Sequence, residues 1–271
     1  MRWSERQRAM LQTMGVRLFG AAPSPSPSPA VATAVRPPGA VGGVAASVAA
    51  SASASAPASA VTSPPTNAVA TTAASASRPE IASLEWPALR AAVADCRACI
   101  LCESRRQTVF GTGHLRAHWM IVGEAPGEHE DEQGEPFVGA SGQLLDNMLS
   151  ALSLTRAEAP PERQVYIANT LKCRPPRNRN PVPAETAQCA PFLERQIALV
   201  QPRIILAMGR FAAQALLASD EPLGKLRGRV HRYQGVPVVV TYHPAYLLRT
   251  LTDKARAWED LCLAARVVAG D

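Results

Sequence analysis

Four short apolar runs separated by helix-like segments constrain the fold of this chain more than any other feature of its sequence. The runs span residues 119–123, 165–169, 203–209 and 237–243. Each is rich in β-branched residues and largely apolar, which is typical of strands buried on both faces of a sheet. The intervening segments carry apolar residues at helical spacing. This alternation predicts an α/β fold with a mostly parallel sheet and helices on both of its faces.

The N-terminal third of the chain differs in composition from the rest. Residues 21–84 are mainly Ala, Ser, Pro, Val and Thr, with too few large side chains to offset the entropy of ordering, so we expect a disordered linker. Residues 1–20 are predicted to form a basic amphipathic helix, either a surface helix or a docking peptide for a protein partner. Residues 85–271 remain as one folded domain, long enough to bury a substantial core.

The N-terminal region also bears on localisation. The apolar run within residues 1–20 is too short, and too often interrupted by charge, for a secretion signal. The uncharged stretch 40–61 is built from small residues and contains Pro57, which disfavours a membrane span. We therefore expect a cytoplasmic protein without a membrane role, and a monomer.

Basic residues are concentrated in two loops of the predicted domain. The chain holds 28 Lys and Arg against 22 Asp and Glu. The segments 171–179 and 225–232 each carry four Lys or Arg and no acid. Either loop alone could be an ordinary solvated loop, but together they favour binding of a polyanion such as nucleic acid.

Acidic residues are concentrated in a different loop, directly after the first predicted strand. Residues 122–139 hold six of the acids of this basic protein. Ligands of parallel sheets bind outside the carboxyl ends of the strands. The acidic loop, the basic loop at 171–179 and His243 each follow such an end. The sequence therefore predicts a functional site on this rim.

Five of the six cysteines form a pattern typical of a metal site. "CRACILC" places Cys96, Cys99 and Cys102 close together, and Cys173 and Cys189 follow later in the chain. Without a secretion signal, a disulfide framework is not expected. We predict a tetrathiolate site formed by Cys96, Cys99, Cys173 and Cys189, with Cys102 as a neighbour. The spacing fits zinc and an iron–sulfur cluster equally well.

Taken in order, these blocks resemble the family 4 uracil-DNA glycosylases, the iron–sulfur branch of that superfamily. The resemblance runs from about Cys96 to Arg249 and includes "VGEAPGEHEDEQGEPFVGASGQLLDNML", "YIANTLKCRPPRNRNP", "LRGRVH" and "TYHPAYLLR". It implies a three-layer α/β/α sandwich with a short, mostly parallel central sheet. It also implies one 4Fe–4S cluster at the cysteines. The implied activity is excision of uracil from single- or double-stranded DNA, the first step of base excision repair.

The resemblance further implies a pocket for a base that has left the DNA stack. Phe137 would stack on uracil, and Asn169 would read its N3 and O4 atoms. His243 would donate to O2 as the departing base becomes an anion. Glu124 would stabilise the oxocarbenium-like sugar or orient the attacking water. Some relatives place a catalytic aspartate one position later, where this chain has Ala125, so a general base and a positioning role are both open for Glu124.

The remaining residues of the acidic loop divide into two groups. The backbone of Ala125, Pro126 and Gly127 would help to hold the base, and Glu130 would exclude thymine by crowding its 5-methyl group. We expect ordinary solvated charges at Asp131, Glu132 and Glu135.

DNA contacts are expected from the two basic loops and from the segment after His243. The predicted phosphate contacts are Lys172, Arg174, Arg227, Arg229 and Arg249. Tyr246, Leu247 and Leu248 either form a wedge that fills the gap left by the flipped base or belong to the core.

Two other functions are compatible with parts of the sequence. A nucleic-acid-binding module with a structural zinc would bind DNA, would be colourless and would release no base. An iron–sulfur electron carrier would explain the cysteines but would give no role to Phe137, Asn169 or His243.

Overall fold

The computed structural model describes residues 78–270, and its central element is a sheet of six strands. Four central strands are parallel to one another, and one antiparallel strand flanks them at each edge. The strands are β1 (Thr112–Gly113), β2 (Trp119–Gly123), β3 (Tyr166–Asn169), β4 (Ile204–Met208), β5 (Val230–Tyr233) and β6 (Val236–Thr241). Their spatial order is β1–β3–β2–β4–β6–β5. The central strands β3, β2, β4 and β6 are the four that the sequence predicted, whereas the edge strands β1 and β5 were not predicted.

Ten α-helices surround the sheet within the described residues. They are α1 (Arg78–Ser83), α2 (Trp86–Ala94), α3 (Leu101–Ser104), α4 (Glu128–Gln133), α5 (Ala140–Ala151), α6 (Pro183–Val200), α7 (Arg210–Leu217), α8 (Leu223–Leu226), α9 (Pro244–Leu247) and α10 (Lys254–Ala269). Two short 3-10 helices, Pro176–Asn178 and Leu251–Asp253, lie between them.

The helices form one layer on each face of the sheet. Successive residues of a strand point to opposite faces, so neighbours in β2 belong to different cores. Ile121 shares an apolar cluster with Leu145 of α5 and Leu261 of α10. Val122 shares the cluster on the other face with Ile197 of α6. The predicted three-layer α/β/α sandwich is confirmed.

The folded region extends further toward the N-terminus than predicted. Helix α1 lies before the expected boundary at Glu85, in a segment assigned to the linker. Its Ile81 is buried in an apolar cluster with Leu89 of α2 and Phe192 of α6. Ile81, together with the adjacent Leu84, therefore packs this segment against the domain.

Several predictions concern the N-terminal region. The predicted helix at 1–20 and most of the predicted linker lie outside the described residues, as does residue 271. Within residues 78–270, no helix is long and apolar enough to cross a membrane.

Candidate active site

A cleft of about 870 Å³ opens at the carboxyl ends of the parallel strands. β2 and β3 end side by side, with Gly123 paired to Asn169 across the two strands. The loop after β6 brings His243 to the same edge of the sheet. The eight predicted uracil-binding residues all line this cleft: Glu124, Ala125, Pro126, Gly127, Glu130, Phe137, Asn169 and His243.

Asn169 is the last residue of β3 and is only 2% exposed. Its Oδ1 is buried and accepts no hydrogen bond within the described part of the chain. Such a buried acceptor is costly unless a partner arrives to satisfy it. Because the residue lines the cleft, a bound ligand with an N–H group could supply that partner.

Gly123 makes room for this arrangement at the end of β2. A Cβ atom at this position would overlap Asn169 Oδ1 and would come within 2.7 Å of Phe137 Cζ. Only a residue without a side chain therefore allows the amide and the aromatic ring to approach the same point of the cleft.

His243 is held as a neutral imidazole with a defined tautomer. Its Nδ1 accepts a hydrogen bond from the backbone N–H of Ala245 at 3.2 Å, at the start of α9. Burial lowers the pKa of His243 to about 4, although the negative charge of Glu130 acts in the opposite direction. With Nδ1 accepting, the proton of the neutral ring resides on Nε2. The side chain is thus a neutral N–H donor at the cleft.

Phe137 is 5% exposed and packs beside His243. The two rings are stacked, with centroids 5.3 Å apart and an angle of 26° between their planes. The backbone of Phe137 has φ of 56°, in the left-handed region that non-glycine residues rarely adopt. The ring therefore reaches the cleft through a strained backbone conformation.

Glu124 directly follows β2, and its backbone carbonyl is fixed by the two residues that follow β3. That carbonyl accepts hydrogen bonds from the hydroxyl of Thr170 and from the N–H of Leu171. Burial raises the pKa of Glu124 to about 7, and the positive charge of Arg210 opposes this shift. The carboxyl group can consequently exchange a proton near neutral pH, as a catalytic acid or base must.

Glu130, in the first turn of α4, binds the backbone just before α4 and just before α5. Its Oε2 accepts from the N–H of Gly127 at 3.0 Å, and its Oε1 accepts from the N–H of Val138 at 3.0 Å. These bonds fix the carboxylate in the wall of the cleft. The neighbouring Asp131, predicted to be solvated, is instead buried and accepts from the N–H of Arg106. This prediction was wrong because an acid in the first turn of a short helix can also bind an adjacent loop.

The predicted metal ligands lie around a second, smaller pocket. Cys96, Cys99, Cys173 and Cys189 line it together with Cys102. Within residues 78–270, no three His, Cys, Asp or Glu side chains are arranged to bind a single metal ion. Four cysteine sulfurs are the ligand set of a 4Fe–4S cluster as well as of a structural zinc.

Hydrogen-bond donors and burial also fit a group bound by thiolates. Arg105 Nη1 donates to Cys173 Sγ at 3.0 Å, and the N–H of Lys172 donates to Cys189 Sγ at 3.3 Å. Burial raises the pKa of Cys189 to about 12, and it also raises the pKa values of Cys99 and Cys173. The free thiols are thus neutral, and a bound metal would favour the thiolate forms.

Comparisons with known proteins agree with this geometry. A sequence model described as "Uracil DNA glycosylase superfamily" matches residues 110–262. This chain belongs to that superfamily.

Several of the proteins to which the chain is similar are type-4 uracil-DNA glycosylases. The chain is 40% identical to the type-4 uracil-DNA glycosylase of Archaeoglobus fulgidus, over 58% of this chain and 79% of the relative. It is 41% identical to the type-4 uracil-DNA glycosylase of Pyrobaculum aerophilum, over 63% and 88% of the two chains. Identity to that of Thermotoga maritima is 40%, over 60% and 83%. The expected membership of the type-4 family is confirmed.

Some of the residues predicted to contact DNA lie at the surface of this superfamily member, and others are buried. Lys172 is 1% exposed, and its Nζ donates to the carbonyl oxygen of Asn169 at 2.8 Å and to Gln196 Oε1 at 2.7 Å. Burial lowers its pKa to about 8, whereas the nearby sulfurs of Cys189 and Cys173 raise it. The prediction of a phosphate contact at Lys172 was wrong, because residues 170–173, which follow β3, are still buried.

Arg227 and Leu247 also differ from their predicted roles. Arg227 forms an ion pair with the buried Asp260 at 2.7 Å, and its guanidinium lies 4.3 Å above the ring of Tyr242. The guanidinium of Arg227 is therefore bound by other residues of the protein and is not free to contact a phosphate. Leu247 is fully buried in the core, whereas Leu248 is exposed. Of the two alternatives for Leu247, the core position is thus confirmed and the wedge is excluded.

The other predicted contacts remain accessible to DNA. Tyr246 and Arg249 line the cleft, and Arg249 is exposed. Arg229 is exposed and forms a surface ion pair with Glu221 at 2.7 Å. Arg174 forms an ion pair with Glu128 at 3.3 Å.

Two further residues that the sequence did not predict act on the site, one from its lining and one through Phe137. Arg210 begins α7 directly after β4 and lies in the cleft, where its charge acts on Glu124. Its position after a parallel strand was the available signal. Arg156 contacts the backbone of Phe137 from a loop 19 residues away, a contact for which the sequence contains no local pattern.

Proposed function

We propose that this protein is a uracil-DNA glycosylase that initiates base excision repair. It hydrolyses the bond between the sugar C1′ and the base N1 of a flipped-out deoxyuridine and leaves an abasic site. The observation that carries this proposal is the unpartnered Oδ1 of Asn169, which lies in the same cleft as the neutral His243.

Asn169 supplies the base recognition. Its Oδ1 accepts from the N3–H of uracil, and its Nδ2 donates to O4. Cytosine has neither of these groups, because its N3 is an acceptor and its C4 carries an amino group. The buried acceptor would then face another acceptor, which disfavours cytosine.

His243 supplies the stabilisation of the leaving group. Negative charge spreads onto O2 as the glycosidic bond breaks, and the Nε2–H of the neutral ring donates to it. Because Nδ1 is already bound to the N–H of Ala245, no reorganisation of the ring is needed. Phe137, beside His243, provides an apolar face for the base.

Glu124 acts at the sugar. As a carboxylate it stabilises the positive charge that develops on C1′, and it orients a water molecule for attack on that atom. Glu130, held by backbone N–H groups, lies in the wall of the cleft, where its rigid carboxylate excludes the 5-methyl group of thymine.

Phosphate binding involves Arg249, Arg229 and Arg174. Arg249 is exposed and lines the cleft, whereas the exposed Arg229 and the partly buried Arg174 would exchange their ion pairs with Glu221 and Glu128 for phosphate contacts. Leu248 and Tyr246, at the same edge, support the DNA where the base has left. Binding should weaken as salt increases, because each phosphate contact releases counterions. Action on both single- and double-stranded DNA, a partner for the N-terminal helix, a monomeric state and a cytoplasmic location stay predictions.

We further propose that Cys96, Cys99, Cys173 and Cys189 bind one 4Fe–4S cluster. Its contribution is structural: it would join the segment before α3 to the segments after β3 and within α6. The common pocket and the two N–H···S hydrogen bonds support this assignment.

The decisive experiment uses an end-labelled oligonucleotide with one uracil, incubated with the full chain and then treated with hot alkali. We expect cleavage at the uracil and none in an otherwise identical thymine oligonucleotide. The His243→Ala protein, purified in parallel, controls for contaminating glycosylases. DNA binding without base release from folded wild-type protein would favour the binding module instead.

A further inference from the structure

The left-handed backbone conformation of Phe137 must be maintained by contacts with other residues. A left-handed backbone at a bulky residue is unfavourable and persists only where the surrounding structure imposes it. Phe137 has φ of 56° and belongs to the loop between α4 and α5. This loop has no regular secondary structure of its own that would hold the ring in the cleft.

Arg156 binds the backbone of this loop. Its Nη1 donates to the carbonyl oxygen of Phe137 at 3.0 Å and to that of Pro136 at 3.2 Å. Its Nε donates to Asp146 Oδ1 of α5 at 2.6 Å, which orients the guanidinium. Charged donors make stronger hydrogen bonds than neutral ones. One side chain therefore fixes two consecutive carbonyl groups relative to α5.

The third nitrogen of this guanidinium, Nη2, adds no hydrogen bond to the part of the fold that the structure describes. Arg156 Nη2 is buried and has no acceptor within the described residues. An unsatisfied buried donor is a cost to folding.

Gly142 completes the support on the other side of the same carbonyl group. A Cβ atom at Gly142 would overlap the Phe137 carbonyl oxygen. The first turn of α5 therefore receives this oxygen only because residue 142 has no side chain. Arg156 and Gly142 together define where the carbonyl lies, and hence the direction of the ring.

We propose that Arg156 is a positioning residue for base binding, and that it acts through Phe137. By holding the carbonyl groups of residues 136 and 137, it keeps the aromatic ring in the cleft in the orientation that stacks on a flipped base. Asp146 supports this role by orienting the guanidinium. The inference rests on the proposed excision of uracil.

A double-mutant cycle tests this role. Arg156→Gln, Phe137→Ala and the double variant are compared by kcat/KM on a uracil oligonucleotide. The Kd for an oligonucleotide with non-cleavable 2′-fluoro-deoxyuridine is measured alongside. We expect Arg156→Gln to lower kcat/KM about tenfold in the wild-type background, the size of a weakened base–aromatic stack. In the Phe137→Ala background, the same change should have no further effect, because the residue through which it acts is gone.

Two further variants separate positioning from folding. Arg163→Gln removes an arginine whose Nε donates to the carbonyl oxygen of Ser153 at 3.4 Å, near Arg156 in the chain, and should leave kcat/KM unchanged. Asp146→Asn keeps the guanidinium but weakens its orientation. It should reduce kcat/KM about twofold to threefold, again only when Phe137 is present. If Arg156→Gln does not fold, Asp146→Asn takes its place in the cycle with Phe137→Ala.

A crystal structure of Arg156→Gln, or of Asp146→Asn if the first does not fold, provides a readout that is independent of catalysis. We expect the backbone of Phe137 to leave the left-handed region. An unmoved Phe137, or equal losses in both backgrounds of the cycle, would overturn the inference. If wild-type protein released no uracil while Phe137 moved in the variant, the proposed function would fail and the positioning role would stand.

Discussion

His243 Nδ1 accepts a hydrogen bond from the backbone N–H of Ala245 at 3.2 Å, so the imidazole presents Nε2–H to the cleft. Replacing His243 with Ala removes this donor while leaving the walls of the cleft in place. We expect the single-turnover rate of uracil release to fall about 10²-fold to 10³-fold, as for other donors to a developing anion. The Kd for an oligonucleotide with non-cleavable deoxyuridine should change little. A normal rate in this variant would exclude the leaving-group role.

The raised pKa of Glu124 predicts how activity depends on pH. The carboxylate is the active form in our proposal, and it predominates only above the pKa of about 7. The single-turnover rate should therefore rise with pH, reach half of its maximum near pH 7 and level off above about pH 8. His243, with a pKa lowered to about 4, should contribute no inflection between pH 5 and 9.

Glu124→Gln provides the control for this assignment. The variant should be slower, and its rate should be independent of pH across neutrality. A rising limb that persists in Glu124→Gln would assign the ionisation to another group.

Gly123→Ala should damage the cleft without a change in charge. Its added Cβ atom would overlap Asn169 Oδ1 and lie 2.7 Å from Phe137 Cζ, so both side chains must move. We expect kcat/KM to fall at least about tenfold, the effect of losing one base contact. Gly224→Ala is the matched control, because nothing lies within 4 Å of a Cβ atom there. Equal activity of both variants would show that the cleft tolerates the displacement.

Glu130→Ala should relax selectivity for uracil over thymine. Rejection of one methyl group by a shaped pocket corresponds to about 10-fold to 200-fold in kcat/KM, so release of thymine should become detectable. Uracil release should also slow, because the N–H groups of Gly127 and Val138 lose their acceptor. The two rates are measured on matched oligonucleotides. Unchanged discrimination would remove the steric role.

Cys173→Ser should reveal the bound group. If the four cysteines hold an iron–sulfur cluster, the wild-type protein is brown and contains iron. The variant should lose the visible absorption, most of the iron and several degrees of Tm, since metal binding contributes to folding. Cys262→Ser is the control, because this thiol packs against an apolar cluster outside the cysteine pocket. Zinc in place of iron in the wild-type protein would contradict the cluster.

The sequence predicted the central sheet well because its four parallel strands are continuous apolar runs. It did not predict β5, whose residues alternate between exposed and half-buried positions and carry charge. It did not predict the two residues of β1 either, because so short a strand leaves no periodic pattern. Both edge strands depend on pairing with a neighbour, and this pairing is a tertiary property.

The same distinction applies to the site. Residues at strand ends, such as Asn169 and Glu124, could be found because the topology of a parallel sheet places them together. The burial of Lys172 could not be predicted, since a lysine in a basic loop reads as a surface residue. Only the fold reveals that Asn169 and Gln196 bind its ammonium group.

The buried Lys172 has a consequence for any redesign of this protein. Asn169, the proposed reader of the base, and Cys173, which lines the cysteine pocket, are separated by three residues. The ammonium group of Lys172 donates a hydrogen bond to the carbonyl oxygen of Asn169. A segment this short cannot absorb a change in length, because each residue spans at most about 3.6 Å. Insertions or deletions here would move one site relative to the other. Engineering of a new base preference should therefore vary side chains around this segment and preserve its length.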